Sequence, residues 1–180
     1  NMMVLEDLIG FAKSKNIRVG WNPGKGELAQ KEKILRVLPK IDLLVVNKME
    51  ASQLLHHLYE EMKEMAVKIA ETGVKSVVIT DGKRGAGVMR AGVWIFAPAF
   101  KVKSVDDTGA GDAFVGGMVA GIISGKEMAI CLKMGLSNGA SEVGQLGAKS
   151  GLLRKSEMTR WLRRKLKITE EKVQGDTVKQ

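Results

Sequence analysis

The chain has 180 residues, 44% of them hydrophobic and 27% charged, enough apolar material for a sizeable core and too much for a chain disordered throughout. Its single cysteine, Cys131, excludes an internal disulfide and any zinc-ligating cysteine pattern, and no apolar run reaches the roughly 20 residues of a membrane span. Lys and Arg outnumber Asp and Glu by 29 to 20, a net charge of +9.

In chain order, Val4, Leu5, Leu8, Ile9 and Ala12 recur with helical spacing and predict a helix over 3–14. The chain opens on Asn1, inside that pattern, which reads as a piece cut from a longer protein. A strand over 17–21, a helix over 28–38 and a strand over 43–46 follow, then one long or two short helices within 50–72 and a strand over 76–80. Such alternation argues for a parallel sheet covered by helices. Residues 87–97 read as a hairpin turning at Ala91-Gly92, and a short strand over 102–105 leads into a glycine-rich turn. Two helices are expected over 110–124 and 127–143. The first carries no charge between Asp112 and Lys126, which predicts burial on most sides, with Gly116, Gly117 and Gly121 allowing close packing on the sheet. Cys131 falls in an apolar helical pattern and reads as a buried thiol in a reducing, cytoplasmic compartment. His56 and His57 are adjacent, so on a helix they point about 100° apart and make no metal face. Residues 1–153 read as one domain and 154–180 as a basic helix and tail, with nine Lys and Arg against four Asp and Glu. Within the tail, Trp161, Leu162 and Leu166 form a thin apolar stripe among Arg160, Arg163, Arg164, Lys165 and Lys167, the pattern of a solvated face packed along one edge.

The run DDTGAGDAFVGGM at 106–118 carries the most chemistry. Gly109, Ala110 and Gly111 are small enough for an anion to reach the main chain, and a helix starting there adds its positive end. Asp112 would repel a phosphate as a ligand but suits a base that takes a proton from an attacking hydroxyl; the alternative is a carboxylate that merely caps the helix. Asn47 and Glu50, three apart at a helix start, offer oxygens that suit a Mg²⁺ ion held through water, or else form a capping box. All the candidate loops would follow strands 43–46, 76–80 and 102–105, at the carboxyl edge where open α/β sheets bind ligands. No P-loop is present, since G-x-x-x-x-G-K-[ST] does not occur.

The wording D-T-G-A-G-D-A-F-x-G-G resembles the C-terminal signature of the PfkB, or ribokinase-like, family of carbohydrate and nucleoside kinases. Asn22-Pro23-Gly24, Asn47-Lys48-Met49-Glu50 and Thr80-Asp81-Gly82-Lys83-Arg84-Gly85 match three further family motifs in the expected order, over roughly residues 4–152. The resemblance implies an α/β, ribokinase-like (Rossmann-like) three-layer sandwich with a mostly parallel sheet, here without the family's N-terminal part and lid. It implies an ATP-dependent phosphotransferase acting on a sugar or nucleoside hydroxyl, with Asp112 as catalytic base and Gly109, Ala110 and Gly111 as the anion hole. Asn47 and Glu50 would serve Mg²⁺; Thr80, Gly82 and Gly85 would line the nucleotide's phosphates and ribose; Asn138, in LSNGAS, would lie beside adenine. Asp106 and Thr108 match positions that hold a monovalent cation in relatives, so K⁺ is a candidate cofactor. The wording S-E-V-G-Q-L-G-A leans toward nucleoside kinases. No membrane or nucleic-acid partner is expected, and a homodimer of the full-length protein stays open. Two other readings remain: a non-catalytic nucleotide-binding remnant, and a basic protein that binds RNA through its tail.

Overall fold

The structure is a computed structural model that describes residues 2–56 and 58–173, apart from the Lys31 side chain. His57 and the tail residues 174–180 lie outside the described residues. The elements are α1 (Met2–Ser14), β1 (Gly20–Trp21), α2 (Lys25–Leu28), α3 (Lys31–Val37), β2 (Leu43–Asn47), α4 (Lys48–Leu54), α5 (Met62–Ala70), β3 (Ser76–Thr80), β4 (Ala86–Arg90), β5 (Val93–Ala97), α6 (Ala110–Ile123), α7 (Met128–Glu142), α8 (Lys155–Leu162) and β6 (Thr169–Lys172). The strands form one mixed sheet in the order β1-β2-β3-β4-β5-β6. It is parallel through β1, β2 and β3, and the two-residue link between β4 and β5 makes them a hairpin.

Two compact units divide the chain: residues 1–80, 87–94 and 171–180 in the first, 81–86 and 95–170 in the second. In the first, Leu43–Val46 and Ser76–Ile79 are buried throughout, as the continuous apolar runs LLVV and VVI require of strands covered on both faces. Ile34, Val37, Leu38, Met65, Ala66 and Ile69 complete that core from the helices. Helix α1 covers only part of the stripe the sequence suggests: Ile9 is buried with Met2, and Leu5 and Ala12 are half-buried beside them, whereas Val4 and Leu8 are 51% and 60% exposed and Phe11 60%. The region 50–72 resolves into two short helices, broken where Leu55 leaves helical geometry and His56 takes a positive φ of 57°.

In the second unit α6 packs on α7. A Cβ on Gly117 would lie 2.6 Å from the Met134 carbonyl, and one on Gly121 3.0 Å from the Cys131 sulfur. These glycines therefore bring two helices together, a correction to the expected packing on the sheet, and Gly116 meets nothing. Only one side of α6 is covered: Gly111, Asp112, Gly116, Ala120 and Ile123 are exposed. Cys131 is wholly buried, its thiol directed at the Lys126 carbonyl at 3.4 Å. The strand expected over 102–105 does not form; the segment is exposed coil, and its last residue is tied by Val105 N–H to the Val143 carbonyl at 2.7 Å. The basic helix is shorter than Arg154–Lys167. It stops at Leu162, where the Lys133 ammonium donates to the Leu162 and Arg164 carbonyls at 2.9 and 2.7 Å, and Arg164 folds back over Trp161 at 4.1 Å. Residues 154–170 belong to the second unit.

Candidate functional site

The glycine turn of the second unit is built from both sides. Gly109 is the N-cap of α6 in left-handed geometry, φ 79° and ψ −4°, and a Cβ there would meet the Ala148 carbonyl oxygen at 2.8 Å. Both facts demand glycine. Asp106 holds the turn from below: Thr108 N–H donates to its Oδ1 at 2.9 Å and Gly147 N–H to its Oδ2 at 3.1 Å. The Thr108 side chain first, then these two N–H groups, keep its carboxyl below the usual carboxylate range against a small opposing effect of burial.

Above this brace, Ala113 N–H is the first to find a helical carbonyl, that of Gly109 at 2.8 Å. The N–H groups of Gly111 and Asp112 have no intrahelical partner, and among the described residues no other acceptor takes them. Gly111 and Asp112 are exposed, and the Asp112 carboxylate makes no hydrogen bond with any described residue. The arrangement offers two adjacent main-chain donors to an anion and a carboxylate beside it able to accept a proton.

Asn138 lies in the same unit, 7% exposed. Its amide Nδ2 donates to the Ala113 carbonyl at 2.7 Å and its Oδ1 accepts Leu153 N–H at 2.8 Å, so both ends of the side chain are engaged within the protein. Gly82 and Gly85 belong to a turn in which Asp81 N–H reaches the Gly85 carbonyl at 2.8 Å and the Arg84 Nε pairs with Asp81 at 2.8 Å. A Cβ at Gly85 would sit 2.2 Å from the Ala97 carbonyl oxygen.

In the first unit, Asn47 and Thr80 are register partners at the carboxyl ends of parallel β2 and β3. Asn47 caps α4: its Oδ1 accepts Glu50 N–H at 2.9 Å, and Glu50 Oε2 accepts Asn47 N–H at 2.8 Å. The capping box therefore exists, and it leaves Glu50 Oε1 with no bond to a described residue. One spare carboxylate oxygen suits a hydrated Mg²⁺ approached through water better than a stripped ion. No group of three or more His, Cys, Asp or Glu among the described residues is placed to hold a metal directly. Asn22 ties the third motif to the same region, its amide donating to the Val45 carbonyl at 2.8 Å.

Two neighbours of these motifs are invisible in the sequence. Lys48, inside N-x-x-E, is 4% exposed and its ammonium lies 4.5 Å from the centre of the Tyr59 ring. Glu142 is wholly buried and accepts Gly151 N–H at 2.9 Å. Neither has a local signal, because each depends on a contact made by folding.

Residues 4–155 match the model of the pfkB family of carbohydrate kinases. The chain is 30% identical to the ribokinase of Haemophilus influenzae over 156 residues, 84% of this chain and 49% of that protein. Its identity to the cytidine kinase of Thermococcus kodakarensis is 34% over 134 residues, 72% of this chain and 47% of the relative. The chain thus spans about half the length of the curated relatives it matches. Among solved structures, a putative ribokinase II from E. coli in complex with ATP and Mg²⁺ shares the fold at a TM-score of 0.78 and 23% identity, covering 89% of this chain and 53% of that one.

Proposed function

Since the chain belongs to the pfkB family of carbohydrate kinases, we propose that it is the phosphate-binding, base-bearing part of an enzyme that transfers the γ-phosphate of ATP to a sugar or nucleoside hydroxyl. The observation that carries this reading is the pair of unengaged N–H groups at Gly111 and Asp112 beside an exposed, unpaired carboxylate. In the proposed reaction Asp112 takes the proton of the acceptor hydroxyl as its oxygen attacks the γ-phosphorus. The bond from that phosphorus to the bridging oxygen breaks and ADP departs. Negative charge on the transferring oxygens is met by the main-chain donors of Gly111 and Asp112, with the small Gly109 and Ala110 leaving space for their approach. Mg²⁺ would supply charge neutralisation on the β- and γ-phosphates, and Glu50 Oε1, with Asn47 beside it, would orient its water shell.

Thr80, Gly82 and Gly85 are proposed to border the nucleotide. For Asn138 the engaged amide favours a role in holding the wall of the nucleotide region over direct hydrogen bonding to adenine. Asp106, whose carboxyl the Thr108 side chain and the two N–H donors keep below the usual carboxylate range, and Thr108 are the proposed monovalent-cation residues, tested by comparing rates in K⁺ and Na⁺. Ribokinase and cytidine kinase among the relatives support both acceptor classes.

In a protein containing the complete kinase domain, Asp112→Asn should lower kcat by about 10²–10⁴ while ATP affinity is kept. An undiminished kcat would remove Asp112 from the base position. The half-length match favours a second reading, a part that binds nucleotide without turning it over.

A further inference from the structure

Glu142 is a wholly buried carboxyl group that the phosphoryl-transfer reading does not use. Its Oε2 accepts Gly151 N–H at 2.9 Å, and its Oε1 has no hydrogen-bond partner among the described residues. Burying such a group costs free energy that one main-chain bond only partly offsets, and an apolar side chain would fill the place without that penalty. What Glu142 contributes lies in what its bond holds. One helical turn earlier Asn138 accepts Leu153 N–H, so α7 grips the segment 151–153 at two points. The near end of the same segment gives Gly147 N–H to Asp106, and Ala148 presses its main chain against Gly109, where no Cβ would fit. Gly151 itself lies so close to the end of α7 that a Cβ would come within 2.4 Å of the Ser141 carbonyl.

We propose that Glu142 is a positioning residue for anion binding: by fixing Gly151 it holds the 147–153 segment against Gly109 and so aims the Gly111 and Asp112 N–H groups. The inference rests on the phosphate-binding reading of that turn. It treats Glu142 and Asn138 as two fasteners of one wall, with Asp106 the third.

The test uses the full chain, with ADP as the probe for affinity and amide hydrogen exchange as a readout independent of ligand. Glu142→Ala should weaken ADP binding at least tenfold and speed exchange at Gly147 and Leu153, whose N–H groups are held by Asp106 and Asn138. Glu142→Gln, which keeps an acceptor for Gly151, should stay within about threefold of wild type. Leu132→Ala, a core substitution in the same helix ten residues before Glu142, supplies a lowered melting temperature without removing either hydrogen bond to the segment and should leave affinity unchanged. Should Glu142→Ala fail to fold, Glu142→Asp, one methylene too short to reach Gly151, takes its place with the same expectation. Wild-type affinity in the Ala or Asp variant, or an equal loss in Leu132→Ala, overturns the positioning role. If wild type binds no ADP, the kinase reading fails, while slow exchange at Gly147 and Leu153 lost only in the Glu142 variants would still uphold the mechanical link and unaltered exchange would end it.

Discussion

At the β4–β5 turn two successive residues, Ala91 at φ 48° and Gly92 at φ 72°, sit in left-handed geometry, the requirement of a type I′ hairpin. Gly92 adopts it without strain, but Ala91 bears a Cβ in a region that costs an L-residue about 1–2 kcal/mol. Ala91→Asn would restore the Asn-Gly pair preferred in such turns and should stabilise the protein by about 0.5–1 kcal/mol, raising Tm by roughly 1–4 °C in a domain of this size. A thermal melt reads this directly, and an unchanged or lower Tm contradicts it. The same residue-scale logic separates what Asp112 and Asp106 do. Both are acidic residues flanking a glycine turn, yet Asp106 is tied to two N–H groups and Asp112 to none, so one builds the turn and the other is left available for the proposed role of base.

For whole elements, α4 carries a complete capping box whose acid is also the proposed Mg²⁺ residue, and one substitution can separate the roles. Gln at position 50 can still accept the Asn47 N–H, so Glu50→Gln should leave the melting temperature within a degree or two while raising several-fold the Mg²⁺ needed for half-maximal nucleotide binding. An unaltered Mg²⁺ titration would leave Glu50 with the cap alone. A second junction joins α1 to the starts of β2 and β3. Asp42 accepts Val19 N–H at 2.8 Å and pairs with Lys13 and with Lys75, the latter at 2.8 Å. Burial would raise its pKa, but the two ammonium groups and the N–H outweigh it and bring it from 3.8 to about 2. A depressed folded-state pKa gives stability that is full above the unfolded value and lost as pH falls toward the folded one. The stability gap between wild type and Asp42→Asn in urea should therefore be about 2 kcal/mol at pH 7 and close between pH 4 and 2; a gap independent of pH contradicts the ion-pair account. These elements also show what a sequence can reveal. Strand β3 is legible to the residue because an unbroken run of β-branched residues ends at a turn signal, and the Asn47 cap because its partner lies three residues away. The strand expected at 102–105 fails because Lys101, Lys103 and Ser104 are exposed and no strand among the described residues pairs with the segment. Strand β6, TEEK, is fully exposed and is set by main-chain pairing, such as Val173 N–H to the Gly92 carbonyl at 2.8 Å just beyond it, which side chains do not announce. The phase of α1 is legible only in part: Leu5, Ile9 and Ala12 fall on the covered face, but apolar residues lie on both faces and periodicity alone does not exclude Val4 and Leu8.

Across the whole molecule, binding and chemistry make different demands. Main-chain donors at one helix start and a carboxylate oxygen at one helix cap need only local geometry, and both are formed within residues 47–50 and 106–113. Phosphoryl transfer needs in addition an acceptor hydroxyl held in line with the γ-phosphorus, and such positioning accounts for about 7–11 kcal/mol of barrier lowering. The relatives named ribokinase and cytidine kinase are about twice as long as the segment they match, and apart from Asp112 the roles proposed for the motifs concern nucleotide and metal rather than the acceptor. Purified residues 1–180 should accordingly bind ADP with measurable heat in a calorimeter, yet yield no sugar or nucleoside phosphate when given ATP, Mg²⁺ and ribose or cytidine. Fusing the half of a relative that this chain does not match should restore product formation, and Asp112→Asn in that fusion should abolish it again while ADP binding survives. Steady turnover by residues 1–180 alone would mean that these residues hold an acceptor site of their own; absence of ADP binding would instead deny the turn at Gly109 its assigned ligand.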